Sequence, residues 1–371
     1  MKLSFLGRIA VVKMNVLPRM LFLFQTIPVL KGLKQCKEWQ RALARYIWQG
    51  KRPRIKMKIL VDKKERGGFS LPDLSLYYEA ASLLWLKDWI RLENRDILDL
   101  EGFNNRYGWH SYLWYEKVKV HRGFLNHIFR GPIYQVWERN KNLLERKTPW
   151  WISPLEVLTI RKTNMEEKNA TYEELISKTE QGNKLRPYEE LKNLFTGWLQ
   201  YHQVNDLLKE DKKKLGFEDK KSKFHVEVVE GKNKILSRIY DMLLEWYTKD
   251  EEVKEAMIKW AIDIGHNLDF EWWEELWNSS IKFTACMALR ENIWKMIYRW
   301  YHTPVKLAKM YRLKNKRCWK CGEAEGDFYH MWWSCNKVKG FWELIYNELK
   351  KILKYTFPKR PEAFLLGMMG K

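Results

Sequence analysis

The chain has 371 residues, 46% of them apolar, and its 68 Lys and Arg residues outnumber the 46 Asp and Glu residues to give a net charge of +22. At about 150 residues per domain this length predicts two or three domains, and the apolar content excludes a chain that is disordered throughout. A positive surplus of this size favours polyanionic partners and disfavours basic ones.

Tryptophan is unusually frequent, since 21 Trp residues exceed the 19 Gly residues. Single-stranded nucleic acid uses flat rings among cations, because bases stack on the rings while the cations neutralise phosphates. Burial in hydrophobic cores is the alternative role, and we expect it for most of these residues. The five cysteines are too few for a secreted disulfide scaffold. Three of them cluster near the C-terminus, which favours metal ligation in a reducing compartment.

Residues 1–24 imitate a secretion signal, with a basic start followed by an apolar stretch. Arg8, Lys13 and Pro18 interrupt that stretch and no small-residue cleavage site follows it, so we expect that the protein is not secreted. No run of about 18 uninterrupted apolar residues occurs, so no transmembrane helix is predicted.

Residues 1–65 predict two helices. The first runs to about Phe24 with a break or kink at Pro18, and the second ends at Gly50. The stretch KRPRIKMK follows and contains no acidic residue. It is consistent with a solvated loop or with a strip that contacts phosphates, and the net charge of the chain favours the strip. The candidate phosphate-contacting residues of this strip are Lys51, Arg52, Arg54, Lys56 and Lys58.

The second predicted region, residues 66–150, begins with a turn at Gly67 and Gly68. Asp73 is the expected N-cap of a long helix whose apolar residues recur every three or four positions. Another helix is expected over residues 132–147.

Residues 151–231 are richer in charge and poorer in apolar residues. Short helices are expected there, and the alternating pattern of residues 223–231 predicts one strand of a small β-hairpin. Residues 232–371 predict a C-terminal helical domain. Its helices are expected over residues 233–248, 251–262, 269–278, 283–301, 304–313 and 338–355.

Four residues that can bind a metal, Cys318, Cys321, His330 and Cys335, lie within 18 residues of one another. A close Cys pair brackets a metal from one tight turn, and Gly322 follows where the backbone has to fold tightly. Three thiolates and an imidazole fill the tetrahedral shell of Zn²⁺ and leave no position for a catalytic water, so the predicted zinc is structural. The alternative is three buried cysteines beside an unrelated histidine. The predicted fold is therefore mainly α, with multi-helix domains, a small β-hairpin and a C-terminal zinc knuckle.

Trp319, Trp332 and Trp333 lie inside this knuckle. A loop this short cannot bury three indole rings against itself. We therefore expect two of them to pack on neighbouring helices and one to remain available for base stacking. Basic residues just upstream of the knuckle complete a candidate groove for a single strand. They are Arg299, Lys306, Lys309, Arg312, Lys314, Lys316 and Arg317.

No catalytic constellation occurs in the sequence. It contains no Gly-rich phosphate loop ending in Lys-Ser/Thr and no G-x-S-x-G nucleophile turn. Two-metal polymerases and nucleases need paired carboxylates held close together, whereas the acidic clusters here have the spacing of solvated helix faces. No catalytic residue and no small-molecule substrate are predicted.

Three blocks of the sequence, in the same chain order, resemble one family. They are LSFLGRIAVVKMNVLPRMLFLFQTIPV (3–29), ERGGFSLPDLSLYYEAASL (65–83) and CWKCGEAEGDFYHMWWSCNKVKGFW (318–342). The first is similar to the thumb that follows the reverse-transcriptase palm, the second to a Gly-Gly-x-x-Leu-Pro-Asp segment, and the third to the C-terminal cysteine-rich segment. The chain thus resembles the second open reading frame protein of vertebrate long interspersed element (non-LTR) retrotransposons.

The resemblance implies a parent RNA-directed DNA polymerase with an N-terminal endonuclease, acting by target-primed reverse transcription. The family's metal-binding aspartates precede the first block, so we expect a shortened copy without either catalytic domain. It would retain a thumb remainder (1–65), a connecting helical domain (66–150) and the C-terminal segment, which binds RNA in the family. The implied partners are RNA or DNA and the rest of the polymerase chain, and the implied location is a cytoplasmic ribonucleoprotein and the nucleus. The family's ligand set carries over to the four knuckle residues.

Two functions of different classes stay open at this point. The chain is either a nucleic-acid-binding accessory region without catalysis, or a zinc-stapled helical scaffold for a protein partner. Exposed aromatic patches without Lys or Arg would favour the scaffold, whereas aromatics ringed by cations would favour nucleic acid. A truncated retroelement copy without function is the third alternative.

Overall fold

The structure is a computed structural model that describes residues 3–27, 33–103, 105–115, 125–159, 169–179, 182–248, 250–280, 284 and 286–368. Helix accounts for 65% of it and strand for 2%, which confirms the predicted mainly α fold. The chain divides into two compact units. Unit 1 contains residues 1–15, 42–72 and 248–371, and unit 2 contains residues 16–41 and 73–247. The division into four consecutive domains stays a prediction.

The elements follow the chain from α1 to α19. The first seven helices are α1 (Phe5–Val11), α2 (Leu17–Thr26), α3 (Leu33–Trp48), α4 (Met57–Val61), α5 (Leu74–Arg91), α6 (Arg95–Gly102) and α7 (Trp109–Trp114). Next come α8 (Arg130–Leu144), α9 (Pro154–Leu158), α10 (Tyr172–Leu175), β1 (Ile176–Thr179), β2 (Gly182–Leu185), α11 (Tyr188–Leu191) and α12 (Trp198–Lys214). The last helices are α13 (Ile235–Tyr247), α14 (Asp250–Ile264), α15 (Phe270–Ser280), α16 (Met287–Ile297), α17 (Pro304–Tyr311), α18 (Asn336–Leu353) and α19 (Pro361–Leu366). Short π-helical turns cover Val12–Val16, His225–Val229 and His330–Ser334, and a 3₁₀ turn covers Lys64–Arg66.

Unit 2 is built around α5. The predicted cap is confirmed, because the Asp73 carboxylate accepts hydrogen bonds from the backbone N–H groups of Ser75 and Leu76. Most of α5 is buried, and α2, α8 and α13 pack against it. A helix that is apolar on nearly every side has to be covered on nearly every side, so α5 forms the core of this unit.

The strand predicted over residues 223–231 is wrong. This segment is helical, with a π-helical turn over His225–Val229. The alternating apolar residues suggested one buried face, but the buried side chains are Phe224, His225, Val228 and Val229. That spacing belongs to a helix, and a short apolar run does not distinguish the two periods. The hairpin lies earlier, where β1 pairs antiparallel with β2 in the register Ile176 to Leu185.

The turn predicted at Gly67 and Gly68 is confirmed in unit 1. Gly67 has a φ of 96°, in the left-handed region that favours glycine. A Cβ on Gly68 would lie 2.0 Å from the Asp62 carbonyl oxygen, so no larger residue fits. The buried ring of Trp277 packs against Gly67, and the Tyr298 hydroxyl donates to the Gly67 carbonyl. The turn is therefore part of the core of unit 1.

Most other predicted helices are confirmed within a few residues. At the break or kink predicted at Pro18 the chain stays helical, because the π-helical turn over Val12–Val16 leads directly into α2, which has Pro18 in its first turn. The helix predicted over 283–301 is shorter, as α16 covers Met287–Ile297, and residues 283 and 285 lie outside the described residues. Residues 160–168 of the charge-dense segment also lie outside them. In the described part of the chain, no helix combines the length and the apolar character needed to span a membrane.

Candidate metal centre and basic cleft

The knuckle segment in unit 1 folds as a tight turn followed by a π-helical turn. Gly322 donates its N–H to the Cys318 carbonyl (2.8 Å) and has a φ of 72°, which a residue with a Cβ rarely adopts. The π-helical turn then begins at His330. Its hydrogen bond from the Cys335 N–H to the His330 carbonyl (3.0 Å) spans five residues and brings these two residues to the same side.

The four predicted ligands come together. Their ligand atoms all lie within 4.8 Å of one another, with 3.9 Å between the sulfurs of Cys318 and Cys335 and 3.3 Å between Cys321 Sγ and His330 Nε2. Sulfurs at tetrahedral corners around zinc are about 3.8 Å apart, since each lies about 2.3 Å from the ion. These residues can therefore hold one metal ion.

Hydrogen bonds around the ligands favour metal binding. The backbone N–H groups of Ala324 and Glu323 lower the pKa of the Cys321 thiol to about 6, whereas burial raises the pKa of Cys335. The Lys320 N–H also points at Cys318 Sγ (3.4 Å). Because a metal binds the thiolate, donors aimed at sulfur stabilise the form that acts as a ligand.

The three Trp residues of the knuckle have different environments. Trp332 is half-buried, with its ring centroid 5.3 Å from that of Tyr301, and Trp333 is half-buried 5.7 Å from Phe364. Trp319 is 63% exposed. Two indoles therefore pack, as expected, and Trp319 is the accessible one.

Most of the 21 Trp side chains are at least half-buried, as expected for a role in hydrophobic cores. Ten of the 21 Trp side chains are buried and seven are half-buried. The four exposed ones are Trp85, Trp198, Trp246 and Trp319. The high Trp content thus reflects packing more than stacking surface.

Unit 1 also contains a cleft of about 500 Å³ to which both predicted basic strips contribute. The first strip supplies Arg54 and Lys56, and the second supplies Arg299, Lys306 and Lys309. Each strip was predicted from its own composition, and the structure shows that parts of the two share one surface.

The other predicted basic residues lie outside the cleft lining. They are all exposed, and they are Lys51, Arg52, Lys58, Arg312, Lys314, Lys316 and Arg317. The last four lie at the end of α17 and in the segment that leads into the knuckle. These four residues are accessible and lie close to Trp319 in the chain.

Sequence reasoning missed several residues of the cleft. Lys259 adds a sixth cation from α14, a segment for which the sequence predicted only a helix. The walls are largely apolar and aromatic, and they include Ile55, Ile59, Ile297, Tyr298, Tyr301, Val305 and Phe328. No local sequence signal marks these residues, because they meet only through tertiary packing.

The carboxylates and the cations that line the cleft have different electrostatic environments. Glu255 is one of the two carboxylates that line the cleft, and it accepts hydrogen bonds from Lys259 (2.8 Å) and Lys56 (2.6 Å). These bonds lower the pKa of Glu255 to about 2. Burial lowers the pKa of Lys306, and the positive charges of Arg54 and Lys259 lower it further. The positive charges beside Lys306 create a positive potential that an anion would relieve.

Arg299 connects the cleft to the core of unit 1. It lies two residues after the end of α16, in a left-handed conformation with a φ of 49°. Its guanidinium pairs with Asp263 (2.6 Å), donates to the Lys259 carbonyl (2.9 Å) and lies 4.5 Å from the Trp260 ring centroid. A left-handed backbone costs a non-glycine residue about 1–2 kcal/mol, and these contacts offset that cost.

A second cluster of potential ligands, which the sequence did not suggest, lies in unit 2. Glu173, His225 and Glu230 have ligand atoms within 4.8 Å of one another. The ammonium of Lys221 contacts both carboxylates at 2.5 Å. Because a lysine already neutralises these acids, we assign no metal to this cluster.

The chain matches no known protein-family model.

Proposed function

We propose that this chain is a non-catalytic, nucleic-acid-binding part of a non-LTR retrotransposon reverse transcriptase. In this proposal it binds RNA, single strands or RNA/DNA hybrids through the basic cleft of unit 1. The observation that carries the proposal is the convergence of two basic strips, far apart in sequence, on one cleft with aromatic walls. Cations beside aromatic rings are the combination that single strands bind.

Phosphate contacts would supply most of the affinity. Among the described residues, six cations line the cleft against two carboxylates, Glu255 and Asp327. Both carboxylates are engaged, Glu255 by two lysines and Asp327 by the His330 N–H (2.7 Å), so their repulsion of a phosphate is reduced. Contacts of this kind position a strand without reading its bases, so little base specificity is expected.

The exposed loop of the knuckle supports the same function. Trp319 is exposed between Arg317 and Lys320, which are exposed too. An accessible indole flanked by cations fits a base and its phosphates better than it fits an apolar protein surface.

We propose Zn²⁺ as the ion of the metal centre, held by Cys318, Cys321, His330 and Cys335. Three thiolates and one imidazole suit zinc, and four protein ligands leave no position for a substrate, so the ion would only stabilise the fold. Asp327 and Phe328 of the cleft lie between the second and third ligands in the chain. The ion would therefore also hold one wall of the cleft in place.

The family assignment depends on the three sequence blocks, and it leads us to propose no catalysis by this chain. The reaction would belong to polymerase and endonuclease domains of a parent protein, acting in a cytoplasmic ribonucleoprotein and in the nucleus. A primer-extension assay with the 371-residue chain is expected to give no product. Template-dependent extension would contradict this part of the proposal.

A second function, the protein scaffold, is favoured by one feature of α18. Phe341, Leu344 and Ile352 are exposed and share one face of the helix. Replacing Phe341 and Leu344 by Glu should leave RNA affinity unchanged if this face binds a protein. Loss of RNA affinity in that variant would remove the observation that favours the scaffold.

Salt-dependent RNA binding tests the proposed function. If about eight phosphates of a single strand are neutralised, the log–log slope of affinity against salt should be roughly −5.6. The double variant Lys306→Glu, Lys309→Glu should bind more weakly and should have a slope shallower by about 1.4, since each single-strand phosphate contributes about 0.7. Fluorescence anisotropy with a labelled single-stranded RNA measures both quantities.

The matched control is Lys350→Glu, Lys351→Glu, which makes the same change in net charge on two exposed lysines of α18 outside the cleft. It should keep the wild-type slope. Equal slopes and affinities for wild type and the cleft variant would contradict binding in the cleft, and an affinity independent of salt would contradict phosphate binding altogether.

A further inference from the structure

We infer that the cleft of unit 1 accepts one unpaired nucleotide of a bound strand, with the base between the apolar walls and the phosphate at the cations. This inference rests on the proposed function and names the part of the nucleic acid that the cleft recognises. It differs from a surface groove, which would contact phosphates alone.

The size and lining of the cleft point to a nucleotide. A volume of about 500 Å³ falls within the roughly 300–1,000 Å³ of small-ligand pockets. Inorganic phosphate or a phosphodiester alone would leave the apolar walls of such a cleft in water. A nucleotide has both an apolar, flat base and an anion, and so it matches both kinds of lining.

The walls are held in place before any ligand arrives. Phe328 is buried with its ring centroid 5.9 Å from that of Trp260, and Arg299 lies over both rings. Tyr301, on the lining as well, packs against Trp332 of the knuckle. Walls that are already packed lose little conformational entropy on binding, which favours insertion of a flat ring.

The cations suit the phosphate of the same nucleotide. Arg54 lies 5.2 Å from the Trp300 ring centroid and donates to the Trp300 carbonyl (3.3 Å), so its guanidinium is oriented at the edge of the cleft. Lys306 donates to the Arg299 carbonyl (3.5 Å), and Lys309 is exposed one turn further along α17. The lining thus offers apolar walls for the base and cations for its phosphate.

An inserted base cannot be paired or stacked in a duplex. A duplex would have to lose one pair and its stacking, which costs a few kcal/mol, whereas a single strand carries no such penalty. The inference therefore predicts a preference for single strands over the duplex of the same sequence, in addition to the salt dependence that the proposed function requires.

The test compares a labelled single strand of about 12 nucleotides with the same strand in which every base is removed and every phosphate is kept. The full 371-residue chain should bind the abasic strand about tenfold more weakly, because stacking is lost. A deoxyribose version of both strands shows whether the sugar matters. The variant Trp319→Ala should still bind the intact strand more tightly than the abasic strand, because Trp319 does not line the cleft.

A variant that fills the cleft without changing its charge isolates the base. Ala256 lines the cleft, and Ala256→Trp should lose most of the difference in affinity between intact and abasic strands while keeping an unchanged salt slope. The matched control is Ala288→Trp on the exposed surface of α16, which should behave as wild type. Thermal unfolding checks that Ala256→Trp folds, and Val305→Phe provides a second filling variant if it does not.

The two proposals fail in different ways. Base insertion is wrong if wild type binds intact and abasic strands with equal affinity, or if a folded filling variant keeps the full difference between them. Weaker binding by the double variant Lys306→Glu, Lys309→Glu would still support phosphate binding in that case. If reversing the charge of Lys306 and Lys309 changes nothing, the proposed function fails first.

Discussion

The candidate metal centre and the basic cleft lie in the same unit but are assembled over very different lengths of chain. All four candidate ligands fall within residues 318–335, whereas the cleft draws its lining from residues 54 to 328. The first site can form from one turn and one π-helical segment. The second forms only when α4, α14, α16 and α17 are packed together.

The two sites should therefore depend on each other in one direction only. Asp327 and Phe328 belong to the knuckle segment and also line the cleft. Loss of the metal should therefore disturb both sites, whereas disturbing the far side of the cleft should leave the four ligands in place. The following predictions test this asymmetry.

The largest effect is expected on removing the metal. Binding of zinc contributes about 10–16 kcal/mol to the folding of zinc-finger peptides, so chelation, or Cys335→Ser, should unfold the knuckle and weaken RNA binding. Elemental analysis should find one zinc per chain in wild type, and hydrogen exchange should show loss of protection over residues 318–335.

The control for the metal is Cys286→Ser, because Cys286 is exposed and is not a ligand. It should retain zinc, stability and RNA affinity. A Cys335→Ser chain that keeps its zinc and its hydrogen-exchange protection would show that the four residues do not form the centre.

A smaller effect is expected at Arg299. Replacing it by Met leaves Asp263 without its ionic partner and removes a donor to the Lys259 carbonyl. Breaking a fully buried pair costs about 3–5 kcal/mol. The two side chains here are 21% and 24% exposed, so the pair is partly solvated. We expect a loss of about 2 kcal/mol in the free energy of unfolding, measured by urea denaturation.

The matched variant is Lys309→Met on the exposed rim of the cleft. It should change stability by no more than about 0.5 kcal/mol. Both variants should keep a full equivalent of zinc. If Arg299→Met loses the metal, the cleft supports the metal centre. That result would contradict the expectation that disturbing the cleft leaves the four ligands in place.

The smallest effect on stability is expected at Trp319. Its exposed ring makes few contacts to lose, so Trp319→Ala should change the free energy of unfolding by less than about 0.5 kcal/mol. Its affinity for single-stranded RNA should fall about fivefold through lost stacking. Trp332→Ala is the counterpart within the same segment, and it should destabilise by about 2 kcal/mol because that ring packs on Tyr301. If Trp319→Ala binds RNA as tightly as wild type, no base stacks on Trp319.

Sequence patterns predict the structure correctly where an interaction between residues close together in the chain decides the local conformation. The cap at Asp73, the turn at Gly67 and Gly68 and the spacing of the four ligands each depend on residues a few positions apart. They failed at residues 223–231, because Phe224, Val226 and Val228 alternate like a strand while the buried set includes His225 and Val229. Which face is buried depends on the partners that cover it, and those partners lie elsewhere in the chain.

By itself, the sequence determined the mainly helical fold, most helix positions and the residues able to bind a metal, because hydrogen bonds, caps and ligand spacing act over a few residues. Only the tertiary structure decided that Arg54, Lys259 and Lys306 share a cleft, that Arg299 is tied to Asp263, and that Trp319 is the exposed indole of the knuckle. These features depend on contacts between segments tens to hundreds of residues apart. Such contacts are set by the packing of whole helices, and no local pattern records them.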